Sequence, residues 1–190
     1  MRAILAAIAA GSLDAEARLV VSNRRDAPAL TYAAAHGVAT RFIATKLDPD
    51  GADAALAKAL QTAGAELVVL SGYLRKLGPQ TLRAYAGRVL NVHPALLPKF
   101  GGPGMYGRRV HEAVAAAGEP VSGATVHVVD EEYDHGPAVA QIEVVLAPGD
   151  GAAAIEAKVT AAEPALLVDV LRRISEGTLA LPEIPASNFR

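Results

Sequence analysis

The feature that most constrains this chain is its rhythm. Short branched-aliphatic runs alternate with alanine-rich stretches of helical spacing, and then two aliphatic runs follow each other with only a turn between them. Residues 17–22, 38–44, 66–71 and 88–92 read as buried strands. Residues 28–37, 50–64, 79–86 and 105–118 read as helices, with Pro28 in a first turn and Gly37 and Gly118 just past helix ends. The runs at 121–130 and 137–146 predict an antiparallel pair. Residues 150–177 predict a long helix that Pro164 should kink or interrupt, since proline removes one ladder bond. Residues 178–190, with Pro182 and Pro185, predict an extended tail. The pattern implies an α/β domain over residues 1–190: a mostly parallel sheet with helices on both faces and an antiparallel pair near the C-terminal end. Ligands of such folds sit beyond the carboxyl ends of the strands.

The first ten residues place Met1, Ile4, Leu5 and Ile8 at i, i+3, i+4 and i+7, an apolar helical stripe that Gly11 closes. This reading is preferred to a secretory signal, whose apolar core would not be mostly alanine. A doubly wound domain ordinarily opens with a strand, whereas this chain opens on a helix, so the pattern predicts that a first strand is missing. With 18 basic and 20 acidic side chains, a net charge of -2 argues against a nucleic-acid or anionic-membrane footprint. The absence of cysteine excludes disulfide scaffolds, zinc ribbons and thiol nucleophiles. No run is long and apolar enough for a membrane span. The expectation is a cytoplasmic protein.

Chemistry concentrates after the fourth strand, in Asn91-Val92-His93-Pro94-Ala95-Leu96-Leu97-Pro98. Strand alternation puts the Asn91 amide and the His93 imidazole on one face. Such a pair alone points first to capping of neighbouring backbone. The Gly101–Gly107 stretch resembles a ligand-hugging loop, and by itself is simply a loop. The acidic turn 130–137 reads first as a solvated hairpin tip, unless one of its carboxylates meets His93, where it would favour the charged imidazole.

The stretches NVHPALLPKFGGPGMYGRRVHEAVAAAG and SGATVHVVDEEYDHGP, with Ser22-Asn23 and Leu70–Leu77, resemble the phosphoribosylglycinamide formyltransferases, a family of folate-dependent enzymes with a Rossmann-like fold. The resemblance covers essentially the whole chain. It implies transfer of a formyl group from 10-formyltetrahydrofolate to the amine of glycinamide ribonucleotide, without a metal. It assigns catalysis to Asn91, His93 and Asp134, folate binding to Leu74, Arg75, Leu77, Asn91, Asp130 and Asp134, and the ribose hydroxyls to Glu163. Thr125 and His127 would support the site from behind, and residues 99–109 would form part of its substrate wall. His36, His111 and His135 receive no role. The expected partners are these two small molecules, no nucleic acid and no membrane, with the protein a monomer or homodimer.

The family's opening strand and Gly-x-Gly-Ser-Asn phosphate loop have no counterpart here, because Met1–Leu5 aligns with the helix after them. A start codon assigned to an internal methionine is preferred to a genuine truncation, and the chain as given is expected to bind the ribonucleotide weakly and to be poorly stable. Pro103 stands where an amide-bearing residue is expected, and residues 47–51 lack an arginine near the folate tail. The alternatives are a formyltetrahydrofolate hydrolase, which would carry a further regulatory domain, and a non-catalytic folate-binding or incomplete fragment. A methionyl-tRNA formyltransferase would need an additional basic domain.

Overall fold

The computed structural model describes residues 1–189. Helix α1 (Arg2–Ala9) leads to β1 (Val20–Ser22), α2 (Pro28–Ala35), β2 (Thr40–Phe42), α3 (Pro49–Thr62) and β3 (Val68–Leu70). Then come α4 (Pro79–Ala84), β4 (Val89–His93), α5 (Arg108–Ala117), β5 (Val121–Val128), β6 (Ala138–Val145) and α6 (Ala152–Ser175). Every expected element is present, mostly shortened by a few residues at its ends. Helix α5 starts later than its periodicity suggests because Gly102, Gly104 and Gly107 all adopt positive φ and keep 101–107 a loop.

The sheet differs from the single layer that the alternation suggests. β1 and β2 pair parallel as one two-stranded sheet, and β3-β4-β5-β6 form a second. Only β3 and β4 are parallel in the second sheet; β5 runs antiparallel to both β4 and β6. The expected antiparallel pair, β5 and β6, thus forms one end of a mixed sheet, with β6 at its edge.

The main core lies where α6 covers β5 and β6, with Leu90 of β4 joining it. Leu90, Ala124, Val126 and Val128 pack against Ile155, Val159, Leu166, Leu167, Val170 and Leu171, with Val114 of α5 filling the edge. Burying aliphatic side chains of this size contributes about 1.5–3 kcal/mol each before entropy is subtracted. This packing also explains why α6 runs unbroken through Pro164. The proline removes one backbone bond, and buried aliphatic side chains on either side hold the two halves in register.

A second cluster, Leu60, Leu77, Leu82, Tyr85 and Val89, is closed by Phe189. The C-terminal segment is thus extended only to Pro185; a 3-10 turn follows at Ala186–Asn188, and the Phe189 carbonyl accepts from Arg83 at 3.0 Å. Asp53 of α3 caps α4 across the chain, accepting the Gln80 and Thr81 backbone N–H groups at 2.8 and 3.1 Å. These N–H groups have no partner within α4. Asp53→Ala should lower stability by about 2 kcal/mol, read as a lower urea midpoint at unchanged m-value. Asp53→Asn, which keeps one acceptor, should lose less.

Candidate active site

β4 carries the site because it lies between β3 and β5, with its carboxyl end at the middle of the sheet. The antiparallel register sets Asn91 opposite His127 and His93 opposite Thr125. Four polar side chains therefore face one another in a region otherwise built of valine and leucine.

Each has a specific partner. His127 is buried, and its Nδ1 lies 3.1 Å from the Val128 carbonyl, so Nδ1 donates and Nε2 is left as an acceptor. The Asn91 amide nitrogen donates to that Nε2 at 3.1 Å, which fixes the orientation of the amide. Burial pushes the His127 pKa down, the backbone bond and the nearby Asp134 opposing it, so this ring is a neutral bracket for Asn91.

His93 is only 3% exposed. Its Nε2 donates to the Phe100 carbonyl at 2.8 Å, and its Nδ1 lies 3.3 Å from Asp134 Oδ1. Both ring nitrogens face acceptors, and a ring protonated at both satisfies them together. Asp134 also accepts the Gly102 N–H at 3.1 Å through Oδ2. Burial raises the Asp134 pKa, but the hydrogen bond and charge of His93, the Gly102 N–H and His127 outweigh it, and the carboxyl stays below its ordinary value. Asp134 takes a left-handed φ of 54°, which an aspartate tolerates better than most residues.

The loops are held by equally specific contacts. Thr125 Oγ1 donates to the Ala95 carbonyl at 2.7 Å and accepts from the Leu97 N–H at 3.0 Å and Gln141 Nε2 at 2.9 Å. It anchors the proline-bounded loop that follows His93. Thr125→Val keeps the shape and strands those groups, so we expect a loss of about 2–3 kcal/mol, measured by denaturant unfolding. A Cβ on Gly136 would run into the Val128 carbonyl, and one on Gly101 would lie 3.2 Å from Asp134 Cβ. Gly101 thus lets the loop that follows His93 pass Asp134, and Gly136 lets the β5–β6 connection close on itself.

The remaining expected site residues are placed less uniformly. Glu163 on α6 is partly buried near His93, and burial raises its pKa while the imidazole opposes the rise. Among the described residues its carboxyl has no hydrogen-bond or ion-pair partner. Asp130 turns away from Asp134, accepting the Glu132 N–H and pairing with His135 Nδ1 at 2.8 Å. Leu74 is 68% exposed, whereas Leu77 is 5% exposed and packs in the second core cluster. Leu74 and Arg75 line, with Tyr73, Tyr106 and Tyr133, the outer part of a cavity of about 1690 Å³ that continues inward between the two sheets. In the 99–109 wall, Lys99 is engaged by Glu119 at 2.8 Å and Arg109 lies over the Tyr106 ring.

Two buried groups near the site have no sequence signal that marks them. The Phe100 carbonyl is a backbone group, brought to His93 by a positive φ at Phe100. His111 is buried on α5 with Nδ1 unpartnered, and its place between Val110 and Val114 reads as ordinary apolar spacing.

The formyl transferase family matches residues 1–171. The chain is 38% identical over 169 residues to the chloroplastic phosphoribosylglycinamide formyltransferase of Arabidopsis thaliana, covering 87% of this chain and 58% of that protein. It thus spans little more than half the length of that relative. It is 35% identical over 185 residues to the phosphoribosylglycinamide formyltransferase of Escherichia coli, covering 96% of this chain and 85% of that one. The crystal structure of glycinamide ribonucleotide transformylase 1 from Symbiobacterium toebii superposes with a TM-score of 0.86 at 32% identity, covering 97% of this chain and 87% of that one. With the family match over residues 1–171, the identity over most of the chain and the fold all in agreement, the chain belongs to the formyl transferase family, among its phosphoribosylglycinamide formyltransferases.

Proposed function

We propose that this chain transfers a formyl group from 10-formyltetrahydrofolate to the amine of 5'-phosphoribosylglycinamide, a step of de novo purine (IMP) synthesis. The observation that carries the reading is the meeting of Asn91, His93 and Asp134 at the carboxyl end of β4 in a chain of this family. The folate supplies a formyl group on nitrogen, an electrophilic carbon whose leaving amine needs a proton.

The residues present suit that chemistry. Asn91, its amide held by His127, offers its second N–H to an oxyanion growing on the formyl oxygen. His93, with Asp134 at Nδ1, holds a proton at Nε2 against the Phe100 carbonyl; a small shift of the 99–102 loop turns that proton toward the oxyanion and the departing nitrogen. Asp134, ionised in the resting site, takes the proton lost by the attacking amine through water. The new C–N bond forms at the ribonucleotide amine as the folate C–N bond breaks. No metal enters these steps. Exposed Leu74, Tyr106 and Tyr133 offer apolar surface to a flat ring system, with Arg75 beside them for an anionic tail.

Glu163 would accept the ribose hydroxyls. An unpartnered carboxyl with a raised pKa is a cost to the empty protein: the unfolded chain ionises it more readily, so it lowers stability as pH rises above its ordinary value. Glu163→Gln should therefore leave the melting temperature at pH 7 unchanged or higher while raising KM for the ribonucleotide about tenfold, near 1.4 kcal/mol. A lower melting temperature with unchanged KM would remove Glu163 from the site.

The deciding experiment is deformylation of a chromogenic 10-formylfolate analogue by the 190-residue chain, with and without glycinamide ribonucleotide. Ribonucleotide-dependent turnover is expected. Formate release independent of the ribonucleotide would point to a hydrolase, and folate binding without turnover to a non-catalytic chain. The proposal places one domain over residues 1–190 in the cytoplasm, acting on two small molecules as a monomer or homodimer, with no nucleic-acid partner. No helix among the described residues is long and apolar enough to cross a membrane.

A further inference from the structure

Asp134 reaches His93 from the middle of residues 129–137, the connection between β5 and β6. At the base of this connection the Val128 N–H donates to the Pro137 carbonyl at 2.9 Å. Gly136 there passes too close to the Val128 carbonyl to carry a side chain. The chain turns at Asp134 with a φ of 54°, a conformation that a non-glycine residue holds only where its surroundings impose it.

A bridge spans that turn. His135 Nδ1 donates to Asp130 Oδ2 at 2.8 Å, and Oδ1 of the same carboxylate accepts the Glu132 N–H at 2.8 Å. One side chain thus ties both limbs of the connection, closing an Asx turn on one and holding the residue next to Asp134 on the other. The neighbours Asp134 and His135 face different ways. The Asp134 side chain is 11% exposed and meets His93, whereas that of His135 is 66% exposed and reaches across the surface to Asp130.

The bridge is also separate from the charges that act on Asp134. Burial raises the Asp134 pKa, and His93, the Gly102 N–H and His127 lower it, so the influences on this carboxyl come from across the site rather than from His135. The His135 pKa is itself raised by the hydrogen bond and charge of Asp130 and by Glu132, which favours the ion pair. Any effect of His135 on the chemistry therefore passes through geometry.

We propose that His135 is a positioning residue whose bridge to Asp130 sets the connection so that Asp134 meets His93 and the Gly102 N–H, an inference that rests on the reading of Asp134 as the group taking the proton of the attacking amine. A carboxylate displaced by about 1 Å loses much of its contribution to turnover even when the fold is unchanged.

The test compares His135→Ala, which removes the bridge, with His135→Asn, whose amide nitrogen stands as many bonds from the backbone as Nδ1 and keeps the donor. The first readout needs no substrate: the titration midpoint of the Asp134 carboxyl carbon by NMR, assigned against Asp134→Asn. In His135→Ala the midpoint should rise from its depressed position toward the ordinary carboxyl value of about 4. In His135→Asn it should stay at the wild-type position. The second readout is formyl transfer. His135→Ala should lower kcat about fivefold to tenfold with KM for the ribonucleotide unchanged, and His135→Asn should stay within about twofold of wild type. An ion pair this exposed adds little to global stability, so both variants should melt within about 2 °C of wild type. An Asp134 midpoint unmoved in His135→Ala overturns the proposal, as does a midpoint that moves with no fall in kcat. Failure of His135→Asn to restore the midpoint also overturns it. If the wild-type chain transfers no formyl group, the function assigned to the site fails, and the carboxyl midpoint alone decides the bridge.

Discussion

Replacing His93 with glutamine should reduce formyl transfer by about 10²- to 10⁴-fold, the usual contribution of a positioned acid–base group. Glutamine keeps a donor for the Phe100 carbonyl but carries no titratable proton, so the loss should fall on kcat more than on KM. Removing the imidazole also leaves the Asp134 carboxylate without its 3.3 Å partner in a largely buried setting. We therefore expect a stability loss of about 2 kcal/mol alongside the kinetic one. The two effects separate by assaying far below the melting temperature with circular dichroism on the same sample. A folded variant retaining more than a tenth of the wild-type kcat would take the proton-transfer role away from His93.

Asp134→Asn is the second large effect, about 10²-fold in turnover. The variant is informative because asparagine tolerates the left-handed backbone and can still accept the Gly102 N–H, so geometry is retained and charge alone is lost. It has a thermodynamic signature as well. The folded-state pKa of Asp134 is depressed, so its contribution to stability is complete above the ordinary carboxyl value near 4 and disappears as pH falls through the lower folded value. Wild-type protein should lose this increment on acidification below about pH 4, and the asparagine variant should show a shallower acid limb. Identical acid limbs for the two proteins would mean that the Asp134–His93 contact contributes nothing to stability.

The balance of contacts at His93 shows how the site is poised. Asp134 and the Phe100 carbonyl each face one ring nitrogen of His93, whereas burial pushes the pKa of His127, one strand away, down. The two histidines on adjacent strands differ in their partners: His93 has the Asp134 carboxylate at 3.3 Å and the Phe100 carbonyl, while His127 has the Val128 carbonyl and the Asn91 amide, with Asp134 Oδ1 farther off at 3.7 Å. The difference is one of partners rather than residue type.

The order and kind of the elements were legible along the chain because both periodicities are local properties. An aliphatic run bounded by glycine and proline is a strand wherever it packs, and alternation by itself puts Asn91 and His93 on one face of β4. The antiparallel pairing of β5 with β6 followed from the short connection between them. Other features depend on groups far apart in sequence. Asp53 reaches 27 residues to cap α4, and Thr125 reaches 28 to hold the Leu97 N–H. The antiparallel pairing of β4 with β5 sets Asn91 against His127, a register that nothing near either residue specifies. Leu74 and Leu77 have the same character in sequence, and only packing exposes one and buries the other. The sheet falls into two parts because a strand's second neighbour is chosen by the whole assembly. Local residue patterns therefore determined which segments form strands and helices and which polar side chains share a strand. The tertiary structure decided which carboxylate meets which imidazole, and left two strand edges facing one open space, because hydrogen bonds and burial across a sheet are settled only when distant segments pack together.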